Sequence, residues 1–164
     1  HGDHIGSLDT FLYHKRFVLN QKVTFYGLSD HLPYLKSIDP GFENDAETYF
    51  KLNDDGIKTM SVKHAPDIHS EAFFNYGLLY SGDTAESLLD TPQARDAKLI
   101  LHEVTFNESV TVHTPFPVLA RAAAEIKRKT WLYHYNVGEN EEFESKVRLH
   151  GFAGIVTQDQ ILKF

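Results

Sequence analysis

The sequence predicts an α/β protein, and two observations carry that reading. Short β-branched or aromatic runs alternate with segments of helical periodicity, the pattern of strands and helices stacked in layers. Four of the strand-like runs stop at His64, Asp83, Glu103 and His134, where α/β folds build their sites. The chain has 164 residues, 41% of them hydrophobic and 24% charged, which is enough for one compact domain. It has no cysteine, so disulfides and thiolate ligands are excluded.

The elements follow in order. Ser7 can cap a first helix on which Leu8, Phe11 and Leu12 recur at helical spacing. Val23–Tyr26 predicts a short strand ending at Gly27. Ser29 or Asp30 opens a second helix through Leu32, Leu35 and Ile38, stopped by Pro40-Gly41. The mixed polar stretch up to Gly56 predicts a further helical turn or two. Residues 57–64 predict a strand that ends on His64. Ala72-Phe73-Phe74 and Leu78-Leu79-Tyr80 predict a hairpin around Asn75-Tyr76-Gly77, delivering Ser81-Gly82-Asp83-Thr84 at a strand end.

Thr84 is expected to cap a helix containing Leu88 and Leu89. Leu99-Ile100-Leu101 suits a strand buried on both faces. Thr114-Pro115 opens a helix with Phe116, Leu119, Ala123 and Ile126 on one stripe. Trp131-Leu132-Tyr133 predicts a strand ending in His134. The last helix carries Glu139, Glu141 and Glu142 early and Lys146 and Arg148 late, which suits its dipole, and Gly151 stops it. Ile155-Val156 and Ile161-Leu162 predict short terminal strands.

Charge and composition narrow the function. A formal charge of −7 disfavours a large nucleic-acid footprint. No apolar run approaches the ~20 residues of a membrane-spanning helix, so no membrane association is expected. Ten histidines in an acidic, cysteine-free chain direct the search to metal ligands. His1-Gly2-Asp3-His4 places three potential ligands around one glycine, suited to zinc, manganese or iron. The plainer alternative is an unstructured terminus or a tag remnant. A start without methionine or a signal-like segment suggests a fragment or processed product. Ser81-Gly82-Asp83-Thr84 alone reads as an ordinary turn, and His64 or His134 alone as a hydrogen-bonded histidine. His69 competes with His64 as a ligand, and His64 is preferred because Met60 and Val62 lead it to a strand end.

In sequence order these pieces resemble the metallo-β-lactamase superfamily, whose hallmark is H-x-H-x-D-H followed by isolated His, Asp and His ligands. His1, Asp3 and His4 match the last three ligands of that motif, and His64, Asp83 and His134 the three that follow. The resemblance implies a metallo-β-lactamase-like αββα sandwich, with residues 1–164 one domain forming the C-terminal two-thirds of that fold, N-terminally incomplete. It also implies two divalent ions, zinc before manganese or iron. His1 and His64 would serve the first ion, Asp3, His4 and His134 the second, and Asp83 would bridge them. The motif's first histidine would precede His1.

His102-Glu103-Val104-Thr105 further resembles the H-E-A-T signature of ribonuclease Z and its relatives, with Val for Ala. His113-Thr114-Pro115 resembles their H-S-T signature. This implies that Glu103 and His113 assist proton transfer at the leaving group, with Asp3 orienting the attacking water. The plainer reading makes Glu103 a solvent-facing strand end and His113 a residue that merely precedes a helix. Too few residues separate His64 from Asp83 for the long RNA-gripping arm of many such enzymes. A solvated helix end explains the basic triplet Lys127, Arg128 and Lys129. The expected activity is therefore metal-dependent hydrolysis of a small phosphodiester or nucleotide, such as a cyclic nucleotide, by a phosphodiesterase-like enzyme rather than cleavage of folded RNA. Alternatives are thioester or lactone hydrolysis on the same centre, a non-catalytic metal-binding or interaction module, and half of a split domain completed by a partner. The expected compartment is the cytoplasm, and a homodimer stays open.

Overall fold

The structure is a computed structural model that describes residues 6–26, 32–38, 46–49, 57–135 and 140–163. The chain divides into two compact units, His1–Gly56 and Ile57–Phe164.

In the first unit, helix α1 (Leu8–Tyr13) runs on into a π-helical stretch, His14–Val18. Ser7 occupies the N-cap, but its side chain makes no capping bond, and the Asp9 carboxylate takes the Thr10 N–H instead. Strand β1 (Val23–Tyr26) follows, then helix α2 (Leu32–Ile38) and strand β2 (Ala46–Tyr49). Leu12 and Leu35 form the buried pair of this unit, with Leu8, Val23 and Leu32 against them. Strand β2 lies parallel to β1, with Val23 opposite Ala46. It stands where the polar composition predicted helical turns. Thr48 and Tyr49 have the strand preference that the composition masked. The expected helix boundaries at Ser29, Asp30 and Pro40-Gly41 lie outside the described residues.

The second unit is built on a six-stranded sheet ordered as in the sequence: β3 (Lys58–Val62), β4 (Ser70–Asn75), β5 (Leu78–Tyr80), β6 (Leu99–Glu103), β7 (Thr130–Tyr133) and β8 (Gly154–Ile155). The first three strands are antiparallel, and β5 to β8 run parallel. Tyr76 and Gly77 both have positive φ at the β4–β5 turn, as a two-residue hairpin of the favoured hand requires. One face of the sheet presents Leu79, Ile100, Leu132 and Ile155, all essentially inaccessible, to Leu89, Phe116, Leu119, Ile126, Val147 and Phe152. Strand β6 is central and buried on both sides, as its apolar run implies.

The helices depart from expectation in two places. No helix holds Leu88 and Leu89. These side chains are buried in an irregular turn, and the Thr84 hydroxyl accepts the Glu86 N–H rather than capping a helix. Helix α3 (Pro92–Asp96) begins later, where Thr91 accepts the Ala94 N–H and Pro92 stands at the first position. The helix expected from Phe116 to Ile126 is two short ones, α4 (Phe116–Leu119) and α5 (Ala124–Lys127). Ala122, rather than Ala123, is buried at the break, and the Lys127 ammonium donates to the Ala120 carbonyl there. Helix α6 (Asn140–Leu149) ends as expected, with Gly151 at φ 85°. Ile161-Leu162 forms no strand, and Ile161 is exposed. Among the described residues, no helix is long and apolar enough to cross a membrane.

Candidate metal centre

Neighbouring parallel strands end on the same side of a sheet, so the C-terminal ends of β5, β6 and β7 bring their following residues together. Asp83 lies three residues beyond β5, Glu103 is the last residue of β6, and His134 is the first after β7. His64 follows β3 by two residues. His113 comes from the loop between Val104 and α4. Two close backbone bonds tie the base of that loop, Thr105 N–H to Thr114 O and Phe116 N–H to Thr105 O, both 2.9 Å. Phe106 anchors it further, stacked on Phe143 and Phe116 with ring centres 3.9 and 5.1 Å away.

Glu103 organises the centre. It is wholly buried, and its Oε1 accepts the Thr114 N–H at 2.9 Å. Its Oε2 accepts from His113 Nδ1 at 2.6 Å and from His134 Nδ1 at 3.2 Å. His64 Nδ1 donates to the Val112 carbonyl at 2.8 Å, and that acceptor fixes its tautomer. Its other nitrogen, Nε2, lies 3.8 Å from Asp83 Oδ2. His134 Nδ1 lies 3.8 Å from Asp83 Oδ1. The backbone at His134 is left-handed, with φ 64°, a conformation that non-glycine residues adopt at a cost.

The donor set fits a metal. Donor atoms of Asp83, Glu103, His113 and His134 all lie within 4.8 Å of one another. In each of His64, His113 and His134, Nδ1 lies within hydrogen-bond distance of a protein oxygen. That is the usual arrangement behind metal-ligating imidazoles, where the oxygen sets the tautomer and raises ligand basicity. With oxygen and nitrogen donors and no sulfur, zinc, manganese and iron are all accommodated.

The sequence-named residues divide as follows. His64, Asp83, Glu103, His113 and His134 converge within the second unit. His1, Asp3 and His4 lie outside the described residues. Glu103 is not solvent-facing, since burial and three hydrogen-bond donors enclose it. His69 pairs with Glu71 at 2.7 Å and is half-exposed. His102, beside Glu103, uses both ring nitrogens structurally: Nδ1 donates to the Glu103 carbonyl at 2.7 Å and Nε2 accepts the Leu88 N–H at 3.1 Å. Burial pushes its pKa down, which keeps it neutral.

Some contributors were not singled out from the sequence for these contacts. Thr114 was expected as a helix cap and as part of the His113-Thr114-Pro115 signature, yet Pro115 stands at the N-cap and the Thr114 hydroxyl instead reaches the Thr84 carbonyl at 2.8 Å. The Tyr133 hydroxyl donates to the Gly82 carbonyl at 2.9 Å, and burial pushes its pKa well up, which keeps the donor proton in place. Gly82 has φ 60°, and a Cβ there would meet the Glu71 carbonyl oxygen at 2.5 Å, so glycine is required. That requirement was the one legible sign of crowding around Asp83.

This sheet, with its acidic and imidazole groups gathered at the strand ends, has the metallo-β-lactamase fold. The structure of the metallo-β-lactamase fold protein YhfI from Bacillus subtilis superposes with a TM-score of 0.66 at 14% identity, covering 94% of this chain and 69% of that one. A diphosphatase of the PhnP family superposes with a TM-score of 0.64, also at 14% identity, covering 98% of this chain and 65% of that one. Within the fold, the chain belongs to the family described as anti-Pycsar protein Apyc1, whose model matches residues 36–162. The anti-Pycsar protein Apyc1 of Paenibacillus harenae is 26% identical over 159 residues, an alignment that takes in 82% of this chain. The chain spans 65% of the length of that relative.

Proposed function

We propose that the chain carries the metal centre and the proton-delivery pair of a hydrolase acting on small phosphodiesters, with a cyclic nucleotide as the substrate class. The observation that carries this reading is the Glu103–His113 pair. A buried carboxylate holds His113 Nδ1 at 2.6 Å while its second oxygen is occupied by Thr114 N–H. His113 is thereby oriented with Nε2 directed away from the carboxylate, and its side chain is one-fifth exposed. A histidine so held can deliver a proton to a departing oxygen near neutral pH. A phosphodiester needs that proton because an alkoxide leaves poorly, whereas a thiolate leaves without it. This favours phosphodiesters over thioesters and supports the ribonuclease Z-like branch.

By the family resemblance, His1, Asp3, His4, His64, Asp83 and His134 would be the residues that hold the divalent ions. When bound, the ions supply Lewis acidity toward the phosphoryl oxygen and lower the pKa of water from ~15.7 towards neutrality. By the same resemblance Asp3 would orient the attacking water, and Glu103 would keep both His113 and His134 in their required tautomers. Small substrates suit the charge. The chain carries −7 overall, and two members of its basic triplet are engaged with carbonyls, Lys127 with Ala120 and Lys129 with Arg95 and Ala97. Folded RNA depends on many phosphate contacts, which a net negative charge disfavours. Membership of the anti-Pycsar Apyc1 family, and a diphosphatase among the proteins of like fold, agree with a small phosphate-bearing substrate.

The test is elemental analysis of the purified chain after chelation and reloading with zinc or manganese, followed by turnover of cyclic nucleotides, bis(p-nitrophenyl) phosphate and a thioester. About two ions per chain with phosphodiester cleavage is expected. Thioester cleavage without phosphodiester cleavage would assign the other hydrolase class. Bound metal without turnover, or no metal at all, would make the chain a non-catalytic module.

A further inference from the structure

Residues 82–84 leave the sheet after β5, so their carbonyls have no strand ladder to join, yet all three residues are buried. A buried carbonyl without a donor costs free energy comparable to a lost hydrogen bond. Here each of the three successive carbonyls accepts a side-chain hydroxyl, and the hydroxyls come from different parts of the fold. Gly82 O accepts from Tyr133 at the end of β7, at 2.9 Å, and from Ser81 at 2.7 Å. Asp83 O accepts from Ser70 at the start of β4, at 2.6 Å. Thr84 O accepts from Thr114, the residue after His113, at 2.8 Å. Ser81 Oγ in turn accepts the Glu103 N–H at 2.9 Å, which joins the loop to β6.

The arrangement brackets Asp83. The carbonyl before its Cα and the carbonyl after it are both held by hydroxyls anchored in strands, and Gly82 admits no side chain that would let the loop repack. We infer that Tyr133 and Ser70 are positioning residues that act through the Gly82 and Asp83 carbonyls to preset the Asp83 carboxylate for metal. The inference rests on the metal-binding role proposed above. Each hydroxyl bonds a carbonyl and so fixes a peptide plane rather than serving as a ligand in the proposed set. A ligand held in advance loses less freedom on binding, and outer partners of ligands commonly govern metal affinity to this degree.

Tyr133→Phe and Ser70→Ala each remove one hydroxyl with little change of shape. Zinc affinity of the full chain, measured by competition with a chromogenic chelator, should weaken about tenfold or more in each. Ser70→Thr keeps the hydroxyl and should bind within about threefold of the parent chain, less than the loss outer partners usually cause. Thr91→Ala removes the α3 cap, lowers the melting temperature and should leave zinc affinity unchanged, which separates positioning from general loss of stability. In the metal-free chain, amide exchange at Ala85, whose N–H bonds to Lys63 O at 2.6 Å, should speed up in Tyr133→Phe and Ser70→Ala but not in Ser70→Thr. Unchanged zinc affinity in both hydroxyl deletions, or an equal loss in Thr91→Ala, would overturn the inference. If the parent chain bound no zinc, the metal role would fall first, and unchanged Ala85 exchange would then also dispose of the clamp.

Discussion

Glu103 sits with no solvent access at the end of a central strand, and a carboxylate there must be paired. Three donors meet it, two of them imidazole Nδ1 atoms. In the proposed mechanism its role is orientation, and the two members of the Glu103–His113 pair should then fail differently. His113→Ala removes the proton carrier and should lower kcat by about 10²–10⁴ with the metal content retained. Loss of metal from that variant would mean that His113 is a ligand rather than a proton donor, a reading that its place in the donor group makes worth testing. Glu103→Gln keeps the shape of the side chain but presents an amide N–H to one of its partners. The His113 tautomer should then reverse, visible by nitrogen NMR, with a comparable loss of kcat and little change in KM. His64, Asp83, Glu103 and His134 were legible because titratable side chains at strand ends stand out against apolar runs, whereas His113, in a loop, was reached only through the family resemblance. The hydroxyls behind Asp83 were not, because a serine or tyrosine in a strand reads the same whether its oxygen meets a carbonyl or water.

Strands were easier to read than helices, for a physical reason. The Leu99-Ile100-Leu101 run and the Tyr76-Gly77 turn are specified by neighbours in sequence, and β6 and the β4–β5 hairpin formed accordingly. Leu88 and Leu89 show helical spacing from Thr84, but the loop's hydrogen bonds go instead to Thr84 Oγ1, His102 Nε2 and Lys63 O. Tertiary partners thus outweighed local propensity. Strand β2 is the reverse case, since pairing with β1 decides its state and composition could not announce the partner. At this scale Gly82→Ala is the informative change, because the clash at 2.5 Å is with strand backbone and the φ of 60° is unfavourable to alanine. The backbone conformation alone costs of order 1–3 kcal/mol, so the melting temperature should fall and zinc binding should weaken together. Leu132→Ala offers the contrast. It empties part of the core at a side chain with 0% exposure and should cost about 2–5 kcal/mol in denaturant unfolding. Because Leu132 faces the core rather than the strand ends, metal affinity of the folded fraction should be retained.

For the sheet unit as a whole, the buried His102 ties stability to pH. Its two nitrogens are committed to one donor and one acceptor, an arrangement that only the neutral ring satisfies, and burial lowers its pKa. The unfolded chain protonates near pH 6.5, whereas the folded chain resists protonation until lower pH. Between those two values the unfolded state binds more protons, so stability rises with pH there. The contribution is complete above about 6.5 and is progressively lost as pH falls towards the depressed folded value. Net charge acts in the opposite direction. The chain carries −7 at pH 7 and has a pI of about 5.8, so acidification relieves self-repulsion over the same window. The two effects separate by difference. Denaturant unfolding of the metal-free chain at pH 7.5 and 5.5 should show a larger acid-induced loss in the parent than in His102→Gln. That variant is less stable at neutral pH but has no ring to protonate, and both chains share the charge relief of their carboxylates. Equal pH dependence in the two chains would mean that Leu88 N–H and Glu103 O do not enforce the neutral ring.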